Sequence, residues 1–233
     1  MFEKAGYLTP ERAVKERSLL RNVYMWMTGG LAFTGVVSLW MLSDPMRIAH
    51  LFQSHLIWVI FIGKLGLVFF LSARIMKMSP QTAVLAFITY SGLTGVTLSA
   101  ILFAYTTASI TSTLFITAGT FAGMSLYAMT TKRDLSSIGS YLMMGLIGLI
   151  IASVVNIFLG SSTLHWLVSF AGVLIFCGLV AYDTQHILKM SRNFSGSIAD
   201  EDYMRFSILG ALKLYLDFIN LFIFLLRIFG QRR

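Results

Sequence analysis

Hydrophobic residues make up 57% of this 233-residue chain and charged residues only 12%, with a mean hydropathy of +0.78. Soluble domains carry nearer a quarter of charged residues, so the composition excludes one and requires a polytopic membrane protein. The net charge of +8 is scattered between apolar runs without a basic helix or RNA-binding signature, which makes anionic lipid headgroups its expected partner and excludes nucleic acid.

Residues 1–22 hold Glu3, Lys4, Glu11, Arg12, Lys15, Glu16, Arg17 and Arg21 with no apolar core and no small-residue cleavage site. They read as a cytoplasmic tail and not as a signal peptide. Residues 23–233 then form a single membrane domain of seven apolar runs: 23–42, 56–75, 82–105, 110–129, 138–159, 166–188 and 206–229. Each is near the roughly 20 residues that a helix needs to cross about 30 Å of hydrocarbon, so the fold class is all-α. Ser43-Asp-Pro45, Ser79-Pro80 and Gly160-Ser-Ser162 punctuate the runs, and Pro80 suits the first turn of the third helix.

A cytoplasmic N-terminus places Arg74, Lys77, Lys132, Arg133, Lys189 and Arg192 on the same side, with only Arg47 in the opposite connections. Seven crossings leave Arg232 and Arg233 outside; the other solution is a last run that re-enters and returns, surrounded by protein.

Gly119-Thr-Phe-Ala-Gly123 forms a GxxxG pattern, and Gly92, Gly95, Gly145 and Gly148 extend this signal of close helix packing. The hydroxyls between Thr89 and Thr131 are expected to bond back to their own helices rather than line a path. Cys177 has no partner within the chain and reads as a small packing residue. His50, His55, His165 and His186 lie at run ends without ligand spacing, which speaks against a zinc-type cluster. Neither a Ser, His and Asp arrangement, a phosphate-cradling Gly loop nor an HExxH motif is present, so an enzyme is not expected.

Of ten acidic residues, only Asp183 and Asp217 fall inside apolar runs. An Asp at the centre of a membrane helix costs roughly 2.5–3.5 kcal/mol on insertion scales, so both should face protein or water. At helical spacing Gly210, Lys213, Asp217 and Asn220 share a stripe, while Leu212, Leu216, Ile219, Ile223 and Leu226 lie off it. That stripe is expected to point into a bundle and to make the last helix an inner one. Two carboxylates meeting in a poorly solvated site cannot both ionise easily, so they share a proton and titrate as a pair, which is a pH sensor. Their depths differ, about 8 Å of rise from the inner end for Asp183 and about 16 Å for Asp217, unless the last helix enters the membrane near Leu209 or tilts. The rival arrangement is an intrahelical ion pair between Lys213 and Asp217, one turn apart. Lys64 and Arg74 are further cations available to a buried carboxylate, Lys64 also suiting a snorkelling or cavity-facing position.

Met124-Ser-Leu-Tyr127, Thr130-Thr-Lys-Arg-Asp-Leu135, Gly145-Leu-Ile-Gly148, Ala181-Tyr-Asp-Thr-Gln185 and Leu214-Tyr-Leu-Asp-Phe-Ile-Asn-Leu-Phe222 resemble the Bax inhibitor family, specifically its bacterial inner-membrane branch. The resemblance runs from about Tyr24 onward. It implies seven helices with the last one central and six wrapped around it. It also implies a pH-dependent calcium leak gated by an aspartate pair, which maps onto Asp183 and Asp217. A basic latch at the end of the second helix maps onto Arg74, with Lys77 as the other candidate. Lys213 departs from the small or hydroxylated residue common in the family at that position, and a cation there favours ionised carboxylates.

The first expectation is therefore a passive calcium pathway of the inner membrane, gated by Asp183 and Asp217 as pH sensors and as the metal's carboxylate ligands. Asn220 joins them along the path, and no resident cofactor is expected. Calcium takes several oxygen ligands, and two acids make a weak site, which suits a leak. The rival is a regulatory membrane protein whose N-terminal tail modulates a membrane-anchored protease, as the resemblance suggests for some members. A proton-coupled transporter is a third possibility, for which neither a broken helix nor an inverted repeat is found.

Overall fold

The structure, a computed structural model, describes the backbone of residues 10–193 and 200–233 and the side chains of residues 19–51, 53–191 and 200–233. The described chain is all-α: α1 (Pro10–Leu42), α2 (Pro45–Gln53), α3 (Leu56–Arg74), α4 (Pro80–Leu102), α5 (Thr107–Thr130), α6 (Ser136–Leu159), α7 (Ser162–Asn193) and α8 (Asp200–Phe229). All except α2 are long and apolar enough to cross a membrane, seven helices in total among the described residues. Of the tail expected over residues 1–22, residues 1–9 lie outside the described ones, and from Pro10 onward the chain is already α1. Leu19 and Leu20 are buried in the core, so the helix passes residue 22 without a break.

Local signals set the helix ends. Ser79 caps α4, its Oγ accepting from the Thr82 amide at 3.2 Å, and Pro80 occupies the first turn, where its missing amide hydrogen costs nothing. Asp44 caps α2 by accepting from the Met46 amide at 3.0 Å. The segment Ser43-Asp-Pro45 thus both ends α1 and starts α2, a short helix that hydropathy alone does not place. Ile48 and Leu51 are its buried side, while Arg47 stacks over the Trp40 ring at 4.2 Å and pairs with Asp44. Gly160 ends α6 with φ +59°, in the left-handed region that only glycine enters without strain.

Helix α8 is the most covered of the seven. In its most apolar window 72% of residues are buried, against 39% or fewer in every other spanning helix. It packs against α1, α4, α5 and α7. The expectation of six wrapping helices is refined here: α3 leans mainly on α4 and α6 on α7, forming an outer layer whose windows are only 6% buried. These two helices present apolar side chains nearly all round, as lipid-facing segments do.

Tyr215 is the hub of the core. It is fully buried, makes edge-to-face contacts with Phe87 and Tyr90 at 5.7 and 5.9 Å, and its hydroxyl lies 2.6 Å from Thr34 Oγ1. Thr34 in turn donates to the Ser91 carbonyl at 2.9 Å, tying α1, α4 and α8 together. The α1–α4 crossing is close because Gly95 has no side chain: a Cβ there would stand 2.7 Å from the Thr34 carbonyl.

Helix α8 crosses the whole bundle, which decides against the re-entrant alternative. Near its start, Arg205 Nε donates to the Met78 carbonyl at 2.7 Å, just before α4. Beyond its end, the chain bridges to the residues just after α4: Thr106 N donates to the Gln231 carbonyl, and Arg233 N to the Ala104 carbonyl, both at 3.0 Å. The 23 residues of α4 separate these points by about 34 Å.

Candidate functional site

Two carboxylates are buried where α7 meets α8. Asp183 on α7 is 8% exposed and Asp217 on α8 is 4% exposed. Both expected carboxylates are therefore buried, on two helices that pack against each other. The expected charge partner is also present, but on a different carboxylate from the one that intrahelical spacing suggests. Lys213 Nζ donates to Asp183 Oδ1 at 3.2 Å across the α7–α8 interface. Asp217, one turn along from Lys213, keeps a buried Oδ2 that has no hydrogen-bond partner within the protein. The intrahelical pair does not form because the Lys213 ammonium reaches across to α7 instead.

The stripe reading is corrected by the same geometry. Asp217 and Gly210 face covered surface, whereas Lys213, Leu216, Asn220, Ile223 and Arg227 mark the less covered face of α8. Residues placed off the stripe, such as Leu212 and Leu226, are fully buried. Apolar and polar sides are both enclosed because four helices surround α8, so hydropathy alone gives no inward direction.

Arg74 is exposed at the end of α3 and makes no ion pair with Asp183, whose cation is Lys213. Asn220 does not join the carboxylates either. Its Nδ2 donates to the Leu216 carbonyl at 2.8 Å, and it lines a cavity of about 340 Å³ between α3, α4 and α8 together with Lys64, Thr97 and Arg227. Neither Asp183 nor Asp217 borders that cavity. Lys64 is cavity-facing, one of the two positions expected for it, and donates to Thr97 Oγ1 at 3.2 Å.

The surroundings of Asp183 include a residue that run-end position hides. His186, one turn beyond, stacks on Tyr182 and senses the charges of both Lys213 and Asp183. The i,i+3 spacing from Asp183 is the signal that could have found it. Next to the aspartate, Thr184 meets Ser125 of α5 at 3.4 Å. Gln185 clamps the α5–α6 connection from both sides, donating to the Arg133 carbonyl at 2.9 Å and accepting from the Leu135 amide at 2.7 Å. Lys189 adds an ion pair to Asp134, whose carboxyl is held down to about 2 by that bond and by hydrogen bonds from Ser136. The Ala181-Tyr-Asp-Thr-Gln185 and Thr130-Thr-Lys-Arg-Asp-Leu135 motifs are thus one structural unit at the end of the bundle that holds the α7–α8 connection.

Hydroxyls on α4 and α5 bond back to their own helices as expected: Thr89 to Leu85, Thr94 to Tyr90, Thr117 to Thr113 and Thr130 to Leu126. The glycine signal divides. Gly95 and Gly145 meet neighbouring helices, while Gly119, Gly123 and Gly148 have nothing within 4 Å of an added Cβ. The GxxxG of α5 therefore packs against nothing in the protomer, because glycine permits close approach without enforcing it. Among the described residues no group of three or more His, Cys, Asp or Glu side chains comes together, so a calcium ion would find two carboxylates and must complete its six to eight oxygens elsewhere.

Comparison with known proteins places these features in a wider set. The family model described as "Inhibitor of apoptosis-promoting Bax1" matches residues 16–233. The Escherichia coli K12 inner membrane protein YbhL is 47% identical over 234 residues, covering 100% of this chain and 99% of YbhL. A protein of Borreliella burgdorferi is 45% identical over 94% of this chain and 96% of its own. A protein of Rickettsia prowazekii is 43% identical over 93% and 91%, respectively.

Proposed function

The chain belongs to the Bax inhibitor family, and on that premise we propose that it is a pH-sensitive calcium leak of a bacterial inner membrane, gated by protonation of Asp183 and Asp217. The observation that carries this reading is a pair of buried carboxylates on adjacent helices, of which only Asp183 is tied to a cation. While Asp183 is ionised, its attraction to Lys213 draws α7 against α8. Protonation of Asp183 removes that attraction and leaves α7 free to shift against α8. Flux accordingly rises as pH falls. Calcium is the cargo, drawn by carboxylate oxygens and released readily because only two are available. Catalysis is no part of this reading, and no resident cofactor is required.

The inner-membrane location rests on seven spans and on the relative named an inner membrane protein. An N-terminus in the cytoplasm fits the basic residues Arg74, Lys77, Lys132, Arg133 and Lys189 at the end of the bundle where α7 leads into α8. The test is calcium entry into liposomes holding only this protein, followed across pH for the wild type and for Asp183→Asn and Asp217→Asn. Flux that rises with acidity in the wild type and loses that dependence in the variants supports the proposal. Calcium-tight liposomes at every pH would end it.

A further inference from the structure

At the end of the bundle that holds the C-terminus, two half-buried cations face one cavity without a carboxylate to meet them. Lys64 of α3 and Arg227 of α8 both line the space of about 340 Å³ between α3, α4 and α8. Asn220 adds an amide, Thr97 accepts from Lys64, and Phe61 and Ile223 supply apolar walls. Lys64 donates to Thr97 and lies 5.8 Å from the Tyr90 ring, Arg227 lies 5.2 Å from the Phe224 ring, and among the described residues neither has an ion pair. Arg232 is close enough to add its own charge to that of Arg227. No described Asp or Glu borders this cavity: Asp44 pairs with Arg47, Asp134 with Lys189, Asp183 with Lys213, and Glu201 and Asp202 with Arg205, while Asp200 opens α8 at the other end and Asp217, one turn from Asn220, is buried outside the cavity lining. Partly desolvated cations held in a common cavity repel each other and call for a counter-anion.

The depth and the walls say which kind. Arg227 is two residues from the end of α8, and Lys64 is eight residues from the start of α3, or about 12 Å of rise, within reach of the interface for a lysine stem. Helix α3 is barely covered, and Phe61 is 47% exposed, so the cavity adjoins the lipid-facing surface. A guanidinium and an ammonium, with the second N–H of the Asn220 amide beside them, form a donor set suited to tetrahedral oxyanions, while the Thr97 hydroxyl donates to its own helix and holds Lys64 in place.

We infer that this cavity binds a phosphate oxyanion, delivered either as the headgroup of an anionic phospholipid or as free inorganic phosphate. The inference stands on cations of a cavity that neither Asp183 nor Asp217 borders and does not depend on calcium passage.

The test uses the full chain in nanodiscs. In discs of phosphatidylcholine mixed with phosphatidylglycerol, native mass spectrometry reads which lipid is retained. In discs of phosphatidylcholine alone, inorganic phosphate is titrated and followed by ³¹P NMR. Retention of phosphatidylglycerol over phosphatidylcholine, reduced about tenfold by Lys64→Gln and by Arg227→Gln but kept by Lys64→Arg and by Lys132→Gln at the opposite end, supports the site and names lipid as its source. Phosphate binding that disappears in the same two variants supports it and names the free anion. Circular dichroism and size exclusion identify variants that fail to fold. For these the wild type alone decides, because release of the bound anion by added salt is required of a charge-held ligand. No preference for phosphatidylglycerol together with no phosphate binding overturns the inference, and so does binding that survives in both folded variants or ignores salt.

Discussion

The ammonium of Lys213 lies 3.2 Å from Asp183 on the neighbouring helix, although Asp217 stands one turn away on its own. Lys213 is 36% exposed at its side chain and Asp183 only 12%, so the pair joins a partly wet cation to a nearly dry carboxylate. Contact between helices, unlike an intrahelical pair, makes the relative position of α7 and α8 depend on charge. Asp217 is left as the buried acid with an unpartnered oxygen.

A double-mutant cycle distinguishes this geometry from the intrahelical one. Lys213→Met should destabilise the protein by about 1–3 kcal/mol, between the values for exposed and buried ion pairs, because it strands Asp183. Thermal or denaturant unfolding in detergent should show coupling of about 1 kcal/mol or more between Lys213→Met and Asp183→Asn, and much less between Lys213→Met and Asp217→Asn. Larger coupling to Asp217 would place the lysine back on its own helix. Under the proposed gate, Lys213→Met also raises calcium flux at neutral pH, since α7 loses its tether.

The seven spans and the burial of Asp183 and Asp217 were legible because lipid imposes a harsh filter. A crossing needs about 20 apolar residues, and an acid within one is rare enough to stand out. Nine-residue α2 escapes that filter, being amphipathic and wedged between two turn signals. The partner of Lys213 was not legible, since sequence spacing ranks neighbours within a helix but carries no information on how two helices rotate against each other. Asn220 misled for the same reason: it shares the face of Lys213, yet it opens into the cavity with Lys64 and Arg227. Gln185 and Asp134 stand out in the sequence as motif residues, while their joint task of holding the α5–α6 connection depends on contacts between α7 and that connection, which spacing along the chain does not carry.

The two aspartates should respond differently to amidation. Asp183→Asn removes the charge that Lys213 meets and leaves a half-buried ammonium unpaired, so it should lower stability by about 1–3 kcal/mol. Asp217→Asn breaks no ion pair, and its cost should stay below that of Asp183→Asn. Both should flatten the pH dependence of calcium flux. Two single variants with unchanged pH profiles would remove the carboxylates from the gate whatever their stabilities.

Glycine positions give a packing test independent of transport. At Gly172 an added Cβ would stand 2.7 Å from the Phe224 ring, which is buried and stacked on Phe176 at 5.8 Å and so has little room to yield. Gly172→Ala should cost about 1–3 kcal/mol in unfolding measurements, the usual range for overpacking. At Gly119 nothing lies within 4 Å, and Gly119→Ala should be neutral or mildly stabilising through helix propensity. A large loss at Gly119 would show that the GxxxG face meets a partner outside the protomer.

The clamp between Asp134 and Lys189 yields a pH dependence whose sign follows from linkage. Asp134 is held down to about 2 from an ordinary 3.8, first by its bond to Lys189 and then by the amide and hydroxyl of Ser136. A carboxyl depressed in the folded state contributes stability above its unfolded value, and that contribution is lost as pH falls through the folded one. The window is therefore from about pH 4 down to about pH 2. Both side chains are substantially solvent-accessible, so the effect is modest and screened by salt. Asp134→Asn should be less stable than the wild type at about pH 5, and the two melting curves should draw together as pH falls to about 2 and below, because the wild type loses its own charge as pH passes through that value. Lys189→Met should converge in the same way, since it removes the other half of the same contact. Gln185 remains to hold the α5–α6 connection in both variants, so secondary structure should not change. Melting temperatures that run parallel to the wild type across the whole window would show that the ion pair carries none of the clamp, leaving Gln185 alone to fix that connection.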